Sequence, residues 1–168
     1  MQLQDIDKAR YGRHVKITFV AIALALAVIS IGVSSLLIAL LSTPEASHFG
    51  HNLAGVVIAA IVVVMVMNRL RGHPFLTEVV YVWDLKQVLN RIYRKQKVLD
   101  ERAEENDPAA MRILMFQYRG SKQLYELDDN TLTIEDLMPR LKRLQKRMQD
   151  AGLDSEVDTF DPEQLDRF

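Results

Sequence analysis

No cysteine occurs among the 168 residues, which excludes disulfides, thiolate metal sites and thiol redox chemistry. The seven glycines stand singly, so no glycine-rich loop exists to cradle a phosphate. The four histidines, His14, His48, His51 and His73, give the serines no base partner in a structured pocket, and a nucleophilic triad is unsupported. The basic residues lack a nucleic-acid reading motif, so nucleic acid is not an expected partner. Internal repeats and low-complexity tracts are missing too. These absences argue against an enzyme, and no catalytic residue, cofactor or metal ligand is assigned. His48 and His51 beside Glu45 form a donor set that zinc or copper accepts, but a flexible two-histidine loop reads more simply as interfacial polarity.

Ionisable side chains are also absent from residues 17–41. As a helix this stretch would span roughly 38 Å, more than the ~30 Å hydrocarbon core of a bilayer. It is too long for the ~7–15-residue apolar region of a signal peptide, and a second apolar run follows it. That second run, 49–67, contains no Asp, Glu, Lys or Arg. Its continuous apolar part, 53–67, reaches only ~23 Å, so Phe49, His51 and Asn52 serve one interface while Asn68, Arg69 and Arg71 snorkel to the other. Two spans joined by a short loop make a membrane hairpin.

Charge placement orients it. Lys8, Arg10, Arg13 and Lys16 precede the first span, Arg69 and Arg71 follow the second, and the loop has no basic residue, which puts both termini in the cytoplasm. Neither span has a charged residue in its middle, a pattern unlike that of transporters. Small residues at helical spacing, Ala23, Ala27, Ser30 and Ser34 in the first span and Gly55 and Ala59 in the second, form stripes that allow close backbone approach. They suit packing of the hairpin on itself, or homodimer packing.

Beyond Gly72-His73-Pro74, where glycine and proline break the exit from the second span, helical periodicity returns. From 75 to about 106, Leu85, Val88, Leu89, Ile92 and Leu99 share one face. Lys86, Arg91, Arg94, Lys95 and Lys97 occupy the other, a face that is either solvated or turned to anionic lipid. Asp107-Pro108 reads as an N-cap and first helical residue, opening a helix to about Leu127 with an apolar stripe of Met111, Leu114, Met115, Tyr118 and Tyr125. The segment Leu127-Asp128-Asp129-Asn130-Thr131 is a turn by composition. Thr133 and Asp136 resemble a capping box for a last helix ending near Ala151-Gly152, with Pro139 as a point of start or kink. The acidic end reads as loose or as a short terminal helix.

The expected architecture is all-α, a two-span transmembrane helical hairpin plus a cytoplasmic three-helix domain. Its parts are a basic arm over 1–16, spans over 17–41 and 49–70, a periplasmic loop over 42–48, a cytoplasmic helical domain over 71–152 and an acidic tail over 153–168. Leu3-Gln4-Asp5-Ile6-Asp7-Lys8, Asn52-Leu53-Ala54-Gly55-Val56, His73-Pro74-Phe75 with Glu78-Val79-Val80-Tyr81-Val82-Trp83-Asp84-Leu85-Lys86-Gln87, and Leu127-Asp128-Asp129-Asn130-Thr131-Leu132-Thr133 together resemble a family of small proteobacterial membrane proteins known as domain of unknown function 3087. The resemblance covers nearly the whole chain. It implies a bacterial inner-membrane setting and brings no activity, cofactor or functional residue.

The expected function is a non-catalytic inner-membrane protein, a membrane-anchored helical interaction module. Its partners are the lipid bilayer and either a second protein or another copy of itself. Two alternatives differ in kind: a subunit of a small oligomeric channel or mechanosensitive element, whose gate would have to be hydrophobic, and an anionic-lipid surface sensor acting through Lys86, Arg91, Arg94, Lys95 and Lys97.

Overall fold

The computed structural model describes residues 1–41 and 47–168. The elements in chain order are α1 (Lys8–Leu41), α2 (Phe49–Leu70), a 3-10 turn at Pro74–Leu76, α3 (Thr77–Tyr93), α4 (Gln96–Glu104), α5 (Pro108–Leu127), α6 (Thr131–Asp150) and a terminal 3-10 segment at Pro162–Arg167. Among the described residues no strand forms, and the single β-bridge is the antiparallel pair Gln2 and Thr159. The architecture is all-α. Contacts divide it into two compact units, Ala9–Val80 and Met1–Lys8 with Tyr81–Phe168.

The first unit contains the two apolar helices. Helix α1 starts at Lys8, so more than half of the arm expected over 1–16 is already helical. Both helices are long and apolar enough to cross a membrane, and only 6% of the most apolar window of α1 and 17% of that of α2 is buried. A core helix of a soluble protein hides such a window. Here Phe19, Leu24, Val28, Ile31 and Leu40 of α1, and Val56, Ile61, Val64 and Met65 of α2, face outward. The two helices meet where side chains are smallest. A Cβ on Gly55 would stand 2.8 Å from the Ser30 carbonyl oxygen and 3.0 Å from Ser34 Cβ, so only glycine permits this approach. Beside it the Ser34 hydroxyl donates to Asn52 Oδ1, a polar tie between apolar helices.

The second unit is built around α5, which buries Ala110, Met111, Ile113, Leu114, Met115, Phe116, Gln117, Gly120 and Leu124. So many buried positions cover most of its circumference and make it the central helix. Asp107 caps it, its Oδ1 accepting from the Ala109 and Ala110 amides at 2.8 and 3.3 Å, and Pro108 follows where a missing N–H costs nothing. On one side Leu85 and Leu89 of α3 lie so close that a Cβ on Gly120 would meet them at 3.3 and 3.1 Å. On another, α4 contributes Leu99 and Ala103, and α6 contributes Leu144 and Met148. Each large side chain so buried contributes about 1.5–3 kcal/mol.

Three local features depart from the periodicity. The helix expected over 75–106 is two helices, so four rather than three pack in this unit. At Arg94 and Lys95 the ladder breaks, the Lys95 amide reaching back only to the Ile92 carbonyl at 2.9 Å. Arg91 and Lys95, one turn apart, are a like-charge pair that disfavours a continuous helix, and Ile92 before the break and Leu99 after it are both fully buried. The cap of α6 is Asn130, whose Oδ1 accepts from the Thr133 amide at 3.3 Å, and not the Thr133 side chain; the helix starts three residues earlier than the capping-box pattern indicates. It runs on through Pro139, because that residue and Glu135, whose carbonyl loses its donor, are both exposed to solvent.

The acidic end is not loose. Residues 158–160 pair with the N-terminal strand-like segment: the Leu3 amide donates to the Asp158 carbonyl at 2.8 Å, and the Phe160 amide to the Met1 carbonyl at 2.8 Å. Phe160 stacks on Phe116 with ring centroids 5.2 Å apart, and Leu165 is buried. Arg119 anchors the segment through Glu156 and, at 2.8 Å, Asp158.

Candidate functional site

The most unusual polar group in the first unit is Glu78, a carboxylate only 8% exposed in the first turn of α3. Local sequence sets its position. His73 caps the 3-10 turn, its Nδ1 accepting from the Phe75 amide at 3.2 Å, and the Thr77 hydroxyl donates to the Pro74 carbonyl at 3.2 Å. That turn presents Phe75 and Glu78 to the N-terminal part of α1. There Arg10 Nε lies 2.9 Å from Glu78 Oε1, and His14 Nδ1 lies 3.4 Å from Oε2. The imidazole stacks on the Phe75 ring at 4.1 Å between centroids.

A buried carboxylate needs compensation, and here a guanidinium supplies it on one oxygen. The second oxygen and His14 Nδ1 are close but not aligned, and each lacks a hydrogen-bond partner. Chemically the cluster ties α1 to the start of α3 through a largely buried ion pair. The sequence reading missed it. Glu78 is the lone acid in the run Leu76–Val82, and an isolated charge inside an apolar stretch was the available signal; its partners on α1 are too distant in sequence for periodicity to reveal.

Of the small residues assigned to transmembrane packing, Ser30, Ser34 and Gly55 meet, and Ala59 is fully buried. Ala23 and Ala27 are exposed and stand outside that contact, although they lie on the same face of α1 by spacing. His48 and His51 flank the start of α2, while Glu45 lies outside the described residues. Among the described residues no group of three or more His, Asp and Glu side chains could hold a metal ion.

The basic face divides in two. Lys86 pairs with Asp128 at 3.1 Å and Arg91 approaches Asp166 at 3.8 Å, so carboxylates of the same unit already neutralise that half. Arg94, Lys95 and Lys97, at the α3–α4 break, are exposed and make no ion pair among the described residues. Near them, burial pushes the Asp100 carboxyl up from its ordinary value while the Gln96 hydrogen bond and Arg140 draw it down. The Tyr118 phenol is likewise raised, by burial first and then by the Asp100 charge. Elsewhere in the unit, Tyr81 Oη accepts from the Gln4 amide at 2.9 Å and donates to Gln123 Oε1 at 2.8 Å, fastening the N-terminal segment to α3 and α5.

Two apolar helices long enough to cross a membrane and a second compact unit of helices make this an all-α protein. Residues 1–165 match the family described as Protein of unknown function (DUF3087), and the chain belongs to that family. No curated protein and no solved structure matches it.

Proposed function

We propose that the protein is a non-catalytic, membrane-anchored helical module of the bacterial inner membrane, with both termini in the cytoplasm. The observation that carries this reading is the outward-facing apolar surface of α1 and α2, which in water would have no counterpart. The basic residues at the ends of both helices support the orientation. In this arrangement the helical unit over 81–168 stands in the cytoplasm and offers Arg94, Lys95 and Lys97, exposed and without an ion pair among the described residues, to an acidic partner.

Light scattering on the protein purified in mild detergent, corrected for bound detergent, tests the module against the channel alternative. A monomer or dimer is expected. A ring of several subunits would overturn the reading in favour of a pore.

A further inference from the structure

The hairpin is tight at one end only. Gly55 seats on Ser30 and Ser34 near the loop, but toward the other end the helices part around a cavity of about 370 Å³. Its walls are Ala21, Ala25 and Ile29 of α1, Val63 and Val66 of α2, and Phe75 of the 3-10 turn. The small alanines leave the space, and the stiff β-branched valines opposite cannot extend to fill it. A void of this size forfeits dispersion contacts along its lining, and only the Thr18 hydroxyl and the His73 ring among the lining residues offer water a side-chain polar partner.

We propose that this cavity is a binding site for one acyl chain of an anionic phospholipid. The inference rests on the hairpin lying in a bilayer, where hydrocarbon chains are the apolar matter at hand. Charge complementarity selects the headgroup. Lys16 and Arg69 adjoin the cavity-lining residues Ile17 and Leu70, Arg13 lies one turn further out, and all three are exposed without an ion pair among the described residues. Between Asp7 and Glu78 the only acidic residue in the sequence is Glu45, in the loop at the opposite end of the hairpin. Each cation near a headgroup adds to the attraction for an anionic lipid over a zwitterionic one. The site differs from the basic face of α3 and α4, which carries no apolar cavity for a chain.

The test is native mass spectrometry of the full-length protein, extracted in mild detergent and washed, then offered phosphatidylglycerol or phosphatidylcholine. The wild type is expected to retain one phosphatidylglycerol per chain. Filling the cavity with Ala21→Phe and Ala25→Phe should lower that occupancy about tenfold, the loss of roughly two buried methylenes, while Ala27→Phe on the exposed face leaves it unchanged. Because the filled variant could misfold, Lys16→Gln with Arg69→Gln provides an independent arm: phosphatidylglycerol retention falls toward that of phosphatidylcholine. Equal retention in the wild type and the filled variant, no retained lipid at all, or a lipid-free dimer would each overturn the proposal. Resistance of the same protein to alkaline carbonate extraction separates these failures from failure of the membrane reading itself: a resistant protein without lipid loses only the site, whereas an extracted one loses both.

Discussion

At the scale of single residues, one glycine and one phenol bear the clearest consequences. Gly55→Ala would drive a methyl group into the Ser30 carbonyl, and backbone cannot give way as a side-chain end can. A loss of about 1–3 kcal/mol is expected. Gly32→Ala, which meets nothing within 4 Å, should instead gain up to about 1 kcal/mol from helix propensity. Thermal melts in detergent distinguish the two, and equal shifts would mean that α1 and α2 do not pack at Gly55. Tyr81→Phe leaves the Gln4 amide and Gln123 Oε1 without their shared hydroxyl, at a cost of about 1–2 kcal/mol. Burial holds this phenol above its ordinary value of 10.0, with the two hydrogen bonds drawing it back. A raised value means that the stabilisation is fully present below pH 10.0 and is lost as pH rises through the shifted value. The Gln4 amide should therefore keep its protection, its exchange rate relative to an unprotected amide at the same pH, into the alkaline range in the wild type and lack it throughout in the variant. Slow exchange in both would show that the phenol does not hold the segment.

At the scale of elements, the caps separate what local sequence specifies from what packing decides. Asn130→Ala should cost α6 about 1 kcal/mol, whereas Thr133→Ala, whose side chain is not the cap, should stay within about 0.5 kcal/mol. Chemical denaturation of the full-length protein reads the difference, and a larger loss at Thr133 would restore the capping-box reading. The extent of α5 was legible because Asp107-Pro108 and the Asp128-Asp129 turn are local signals that no tertiary contact contradicts. The two apolar helices were legible for the same reason, since an uncharged run of that length has few other uses. The break at Arg94 and Lys95 was not, because Ile92 and Leu99 keep one helical face across it and only their burial on different helices reveals the turn. The pairing of 1–3 with 158–160 joins opposite ends of the chain, and the Arg10–His14–Glu78 cluster joins α1 to α3. Neither leaves a periodic trace, so both required the folded chain to become visible.

At the scale of the whole molecule, the proposed role depends on where the chain lies relative to a membrane. The absence of cysteine makes this directly measurable, since a single introduced thiol is the only one present. Ser47→Cys in the loop and Lys97→Cys in the helical unit replace exposed residues on what should be opposite sides of the bilayer. The decisive measurement is labelling of each variant by a membrane-impermeant maleimide in bacterial cells expressing it, before and after permeabilisation. The expected result is that Ser47→Cys reacts once the outer membrane alone is opened, and Lys97→Cys only once the inner membrane is breached. Equal reaction of both before the inner membrane is breached, or protection of both, would contradict a hairpin with its ends in the cytoplasm.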